Sequence, residues 1–333
     1  MAADASGAEL EVVICTYDNP AQLDVTLAAL ARQEATDATW SVLVVDNNSG
    51  PETARVVGVH QSMNRIPGLR RVVETTQGLT PARARGIHET SARWIALVDD
   101  DCELAPEWIG RAVEFLRARP DVAGFGGRVV PTYGAGRPRV LDRRGWAFAE
   151  QDHGDAVSEV QSLVGAGMVI RRDALVACGW IDEQFLEDRI GRRLVSGGDV
   201  EIALRLALVS PLAYVPACAL RHHIPPNRTG MGYLTRLVHG LGVSAALAHA
   251  LTWPHGRSRW AVSAGAHGVD VGRLILRAAA GWITRRRSAG DARLTIGYEL
   301  GRCRGTLRVA ALLATGRCRL FGQAAPERAT SAD

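Results

Sequence analysis

Three consecutive aspartates, Asp99-Asp100-Asp101, close the apolar segment "RWIALVDDD". Adjacent carboxylates repel, and without a counter-charge each would be held above its ordinary pKa. A divalent cation removes that cost. Oxygen ligands that leave coordination positions open suit Mg2+ or Mn2+ carrying a diphosphate. The competing reading is a solvated acidic turn ahead of a helix that opens at Pro106. Asp199 and Glu201 fall at the start of another helical segment, "SGGDVEIALRL". The helix dipole favours carboxylates there in any protein. In an enzyme, a carboxylate so placed is also a candidate general base that takes a proton from an acceptor hydroxyl. His222-His223 follow a short apolar segment, and a histidine pair beside a metal centre can supply a ligand and a polar neighbour.

Alternating elements must position these groups. "ELEVVICT" and "WSVLVVD" read as buried strands, "LRRVVET" as a third and "RWIALVDDD" as a fourth. Between them, Asn19-Pro20, Pro51 and Thr80-Pro81 open helical segments, the last running to about Ala92, and Pro106 opens a fourth helix through Arg117. Strand and helix alternate, so the expected class is α/β: a mostly parallel sheet flanked by helices. In open sheets of this kind ligands sit beyond the carboxyl ends of the strands. Those ends carry Thr16-Tyr17-Asp18, Asp46-Asn47-Asn48 and the aspartate triplet.

After Val122 the pattern loosens. "GFGGRVVPTYGAG" is glycine-rich, and 137–160 reads as an irregular loop over the site. "SLVGAGMVIRR" reads as a strand, a helix begins at about Asp199, and "AYVP" is a short strand before "RHHIPP". The glycine patterns lack the strand-turn-helix context of a dinucleotide fingerprint. Beyond Asn227 long helical segments take over, which places a boundary near 226. The expected organisation is a flexible N-terminus at 1–8, a catalytic domain at 9–225 and a basic helical region at 226–333.

All 39 basic residues are arginine, a bias that genome composition explains better than function. It removes any mechanism that needs a lysine Schiff base or a P-loop lysine. The net charge of +4 is unevenly spread: residues 226–333 hold 16 Arg against five acidic residues. The segment "DVGRLILRAAAGWITRRR" puts Arg273 and Arg277 on one helical face and Leu274, Ala278 and Trp282 on another, with Arg285-Arg286-Arg287 after them. A basic amphipathic helix with a tryptophan fits an anionic membrane surface, and it fits equally a helix packed on the catalytic domain. No nucleic-acid-binding motif is present. The stretch Leu237–Gly256 has the length of a membrane span, but its histidines, proline and glycines argue against one. The six cysteines form no C-x-x-C pair, and the residues before Glu9 lack the basic and apolar stretches of a signal peptide. The expectation is a cytoplasmic protein with free thiols, peripheral on the inner face of the plasma membrane if the basic helices bind lipid.

Together these segments resemble the family 2 glycosyltransferases of GT-A fold. The resemblance rests on "VVICTYDNPAQLDVTLAALARQ", "VLVVDNNS", "GLTPARARGIHETSARWIALVDDDCELAPEWI", "GAGMVIRRDALVACGWIDEQF" and "GGDVEIALRL", in that order over about residues 9–225. It implies an inverting, metal-dependent transfer of a sugar from a nucleotide sugar, a UDP-sugar above others, to an acceptor hydroxyl. By position, Thr16, Asp18 and Asp46 would hold the base and ribose, and Arg83 would face the diphosphate. Asp99 would contact the nucleotide side and Asp101 the Mg2+ or Mn2+ ion, with His222 or His223 near the metal. Asp199 would be the base and Glu201 the alternative. Gly165, Ala166 and Gly167 would let the sugar approach the backbone. The chain departs from the family pattern at Cys15, where proline is usual, at Ala84, where asparagine is usual, and at Gly198, where a glutamate usually precedes the aspartate. Sugar choice would rest on side chains around 124–167, and acceptor choice on the 137–160 loop and the C-terminal helices. Two other functions compete: a non-catalytic, membrane-associated partner that keeps the fold, and a nucleotidyltransferase, for which no glycine-rich NTP loop is present.

Overall fold

The computed structural model describes residues 7–190, 194–284 and 288–324. The amino-terminal half builds the expected units: β1 (Leu10–Thr16), α1 (Pro20–Leu30), β2 (Trp40–Asp46), α2 (Pro51–Met63), β3 (Arg70–Val73), α3 (Leu79–Glu89) and β4 (Trp94–Asp99). Proline occupies the first turn of α1 and of α2, where its missing N–H costs nothing. The chain continues through β5 (Cys102–Leu104), α4 (Trp108–Ala118), β6 (Gly124–Tyr133), β7 (Ser158–Val160), β8 (Met168–Arg171), α5 (Arg172–Ala177), α6 (Gly198–Leu206) and β9 (Leu212–Ile224). Three helices follow: α7 (Met231–Leu251), α8 (Arg257–Ile283) and α9 (Ala289–Ala314).

The strands form one sheet in the order β3-β2-β1-β4-β8-β6-β9-β5, with β7 also on β9. β3, β2, β1 and β4 are parallel, while β8 runs antiparallel to both β4 and β6. Successive side chains of a strand point to opposite faces. Val12 and Val42 therefore pack with Leu23, Leu27 and Trp108 on one side, while Val13 and Leu43 pack with Ile87, Trp180 and Ile202 on the other.

The second half differs from its sequence-based expectation. β6 runs through the glycine-rich segment, and β9 is 13 residues long where a short strand was expected. The glycines are there because neighbouring backbone is close: a Cβ at Gly124 would lie 2.6 Å from the Val169 carbonyl oxygen, and one at Gly127 would overlap the Cys218 carbonyl. The strand expected over 162–172 is confined to β8, because Gly167 turns the chain with φ of +75°. α3 ends at Glu89 rather than Ala92.

α7 packs on α9 through glycines, since a Cβ at Gly242 would stand 2.1 Å from the Tyr298 carbonyl oxygen and one at Gly301 2.0 Å from that of His239. Leu234, Leu237 and Val238 of α7 also join Phe148, Ile224 and Leu294 in a core that ties the carboxyl-terminal helices to β9. Among the described residues no helix is long and apolar enough to cross a membrane. On α8 the expected apolar stripe is split: Ala278 is buried, while Leu274 and Trp282 are exposed. A different ridge faces outward, with Val262, Val269, Leu276 and Ile283 exposed at seven-residue spacing. Arg285-Arg286-Arg287 and most of the 1–8 segment lie outside the described residues.

Candidate active site

A cavity of about 990 Å³ opens at the carboxyl ends of β1, β2 and β4. The turn between β4 and β5 forms its acidic floor, and because β5 pairs with β9 this turn also joins the parallel half of the sheet to the far edge. The register sets Cys102 opposite His222, so His222 stands beside Asp101.

Asp99, Asp101 and His222 each offer a ligand atom, and these atoms lie within 4.8 Å of one another. His222 Nε2 is 3.2 Å from Asp101 Oδ1, and Arg228 Nη1 donates to Asp101 Oδ2 at 2.8 Å. Burial works to raise the Asp101 carboxyl, but the His222 and Arg228 charges overcome it and hold it well below the usual carboxylate range. Burial likewise disfavours the His222 cation, and the Asp101 carboxylate more than offsets it, raising the imidazole. His222 Nδ1 lies 2.9 Å from the Phe148 carbonyl oxygen, which can only accept, so Nδ1 carries a proton. Nε2 therefore meets a carboxylate, and either a second proton or a cation must lie between them. Two carboxylates and an imidazole whose outer nitrogen is fixed in this way suit a divalent metal with open coordination positions.

Asp100 has another task. Its carboxylate accepts from Thr16 Oγ1 at 2.6 Å and Asn19 Nδ2 at 2.9 Å, and its carbonyl accepts from Thr26 Oγ1. Burial and neighbouring Asp101 push its carboxyl up to about 7. It fastens the turn to β1 and α1.

Asp199, at the start of α6, also lines the cavity and accepts from the Gly165 N–H at 3.1 Å. Burial, then the nearby Asp188 carboxylate, raises the Asp199 carboxyl against the pull of Arg83. Arg83 is buried between Asp188, 2.5 Å from Nη1, and Asp99, 3.7 Å from Nη2. A Cβ at Gly165 would come within 2.9 Å of Arg83 Nη2 and 3.0 Å of the Asp199 side chain, so a larger residue there would displace one or both. Ala166 lines the same wall.

Several expected residues stand elsewhere. Glu201 does not line the cavity: it points into the protein, accepts from the Phe185 and Leu186 N–H groups and pairs with Arg205 at 2.9 Å. It stands two residues from Asp199, about 200° around α6, and so turns to the interior. His223 points away from Asp101 because side chains alternate along β9, and it meets Glu103 and Thr132 instead. Asp18 and Asp46 are not part of the cavity wall. Asp18 is exposed and holds the Gly50 N–H; Asp46 is buried, paired with Arg71 at 2.6 Å and bonded to the Ser49 N–H. Their neighbours Tyr17, Asn19, Asn47 and Gln77 line the cavity in their place. Gly167 serves the turn rather than the wall: a Cβ there would meet Leu220 at 2.5 Å.

Sequence reasoning missed Asp188 and Arg228. Asp188 sits in an irregular segment and Arg228 ends a single 3-10 turn, and only their charge marked them. It also missed a wall of different character. Tyr233, Leu237 and Leu241, at i, i+4 and i+8 of α7, line the cavity with Trp146 of the 137–160 loop and with Arg236.

A mostly parallel sheet of this order, with a cavity of acidic floor over its carboxyl edge and helices on both faces, is the GT-A fold. The chain is similar to the mannosyltransferase PcManGT from Pyrobaculum calidifontis in complex with GDP-Man and Mn2+, with a TM-score of 0.57, 17% identity, and coverage of 91% of this chain and 88% of that one. It is also similar to S. aureus TarS 1-349 in complex with UDP-GlcNAc, with a TM-score of 0.50, 14% identity, and coverage of 93% and 92%. In sequence, residues 11–178 match the pattern of Glycosyl transferase family 2, and the chain belongs to that family. It is 24% identical over 203 residues to the glucosyl-dolichyl phosphate glucuronosyltransferase of Haloferax volcanii, covering 60% of this chain and 63% of that protein, so it spans less than two thirds of that relative's length.

Proposed function

We propose that the chain transfers a sugar from a nucleotide sugar, a UDP-sugar in our reading, to an acceptor hydroxyl with inversion at the anomeric carbon. One observation carries this: Asp199, Asp99, Asp101, His222 and Arg83 line a single cavity, and the side-chain-free Gly165 leaves room beside both Asp199 and Arg83. A base and a charge-neutralising set around one cavity are what displacement of a nucleoside diphosphate needs.

Asp99, Asp101 and His222 would hold Mg2+ or Mn2+, which when bound supplies positive charge to the diphosphate oxygens. Arg83, fixed by Asp188, adds a second positive charge to the leaving group. Asp199 takes the proton of the acceptor hydroxyl; its raised affinity for protons makes it a better base than an exposed aspartate. Asn19 and Gln77 offer polar groups to the donor, with Asn47 holding Gln77 and the Gly78 N–H in place. A direct displacement by the acceptor hydroxyl requires no enzyme nucleophile, and the carboxylate near Asp199, Asp188, is committed to Arg83 and the Gly197 N–H.

The acceptor enters from the wall of Trp146, Tyr233, Leu237 and Leu241. A nucleotide sugar has little apolar surface to cover these residues, so the acceptor or its carrier has an apolar part. The exposed apolar ridge of α8, flanked by Arg259, Arg273 and Arg277, supports peripheral attachment to an anionic membrane on its inner face. The test is release of the nucleoside diphosphate from a panel of nucleotide sugars, followed by mass spectrometry of the product. Metal-dependent release that Asp199→Asn abolishes supports the reading. No release from any donor, together with no binding of nucleotide, overturns it in favour of a non-catalytic partner that keeps the fold.

A further inference from the structure

Asp188 is a wholly buried carboxylate to which the reaction above gives no direct part. It lies in the irregular segment between α5 and α6, and it joins three pieces of the site. Its Oδ2 is 2.5 Å from Arg83 Nη1 on α3. Its Oδ1 accepts from the Gly197 N–H, 2.9 Å away, just before α6. Its own N–H donates to Thr80 Oγ1 at 3.2 Å. The same Oδ2 lies 2.4 Å from where a Cβ at Gly198 would be built. Gly198 does not have the positive φ that favours glycine. Glycine in a helix costs about 1 kcal/mol relative to alanine, so at this position space is the physical reason for it.

We infer that Asp188 is the positioning residue that locks Arg83 to the first turn of α6, and that Gly198 is glycine because the Asp188 carboxylate fills the volume its side chain would take. The carboxylate that the chain lacks next to Asp199 is supplied from ten residues upstream. Without it, Arg83 has two remaining acidic neighbours, Asp99 and Asp199. An arginine that collapsed on either would withdraw a metal ligand or the base.

The inference rests on the glycosyl-transfer reading for its kinetic half and on geometry alone for its stability half, so the two fail separately. The first measurement is a double-mutant cycle in melting temperature. Gly198→Ala is expected to lower it by several degrees in the wild-type background and to be neutral or stabilising beside Asp188→Gly. Equal destabilisation in both backgrounds overturns the shared-volume claim, whatever the protein catalyses. The second is donor turnover well below the melting temperature. Asp188→Gly is expected to lower kcat by about a hundredfold, the scale of a misplaced catalytic group, with a smaller change in donor KM. Adding Gly198→Asp should return at least tenfold of that loss by restoring a carboxylate from the other side. A folded Asp188→Gly protein with wild-type kcat, or a double variant no better than the single, overturns the positioning role. If the wild-type chain turns over no donor, the reading of the reaction fails while the stability cycle still decides the pairing.

Discussion

His222 Nε2 stands 3.2 Å from Asp101 Oδ1 while its Nδ1 is committed to the Phe148 carbonyl. The loop that covers the site thus fixes the tautomer of a candidate metal ligand. Asp101→Ala should abolish transfer and weaken Mn2+-dependent binding of UDP, and His222→Ala should weaken it by about 10–100-fold, the range seen when metal-site neighbours are removed. Titration calorimetry of UDP with and without Mn2+ checks both. Wild-type activity in Asp101→Ala would remove the metal from this turn.

Asp199 offers a prediction in which activity and stability move in opposite directions. Its carboxyl is raised by burial and by Asp188, so the folded chain binds the proton more tightly than the unfolded chain. Stability then falls as pH rises from the unfolded value through the folded one. Asp199→Asn cannot ionise, so it should melt higher than wild type at pH 8, with the gap closing at low pH, while transfer is lost. A lower melting temperature for the asparagine variant at pH 8 would contradict the burial argument.

Glu201 should behave in the opposite way. Its carboxylate has Arg205 and two backbone N–H groups as partners inside the protein. Removing one partner of a buried ion pair costs about 3–5 kcal/mol. Glu201→Ala should therefore unfold at distinctly lower denaturant, and the protein that remains folded should keep its kcat. A kcat near zero in fully folded Glu201→Ala would restore it as a base.

The α8 ridge is testable without knowing the acceptor. Leu276 and Ile283 are 71% and 75% exposed. Replacing both with aspartate should leave melting unchanged and should reduce co-sedimentation with phosphatidylglycerol vesicles at low salt. Identical binding by the variant and wild type, or no binding by wild type, would leave α8 without a role at a lipid surface.

The sequence by itself determined the first four strands, the helices between them and the identity of the acidic turn. Those elements follow from local pattern: apolar strands, proline at helix starts, polar residues where strands end. It also marked Asp101, Asp199 and Arg83 as candidates for one site, through the order of the motifs that resemble the family, and the structure brings all three to one cavity. Tertiary structure decided the rest. His222 rather than His223 faces Asp101, because side chains alternate along β9 and the Cys102–His222 register sets which one points inward. Asp199 rather than Glu201 faces the cavity, because two residues of α6 are 200° apart on a 3.6-residue turn. Asn47 lines the cavity while its neighbour Asp46 turns to Arg71. β6 was unreadable because its glycines report close backbone neighbours rather than local conformation. The partnership of Asp188 with Arg83 joins residues 105 apart in the chain, and no local pattern records a contact that only folding creates.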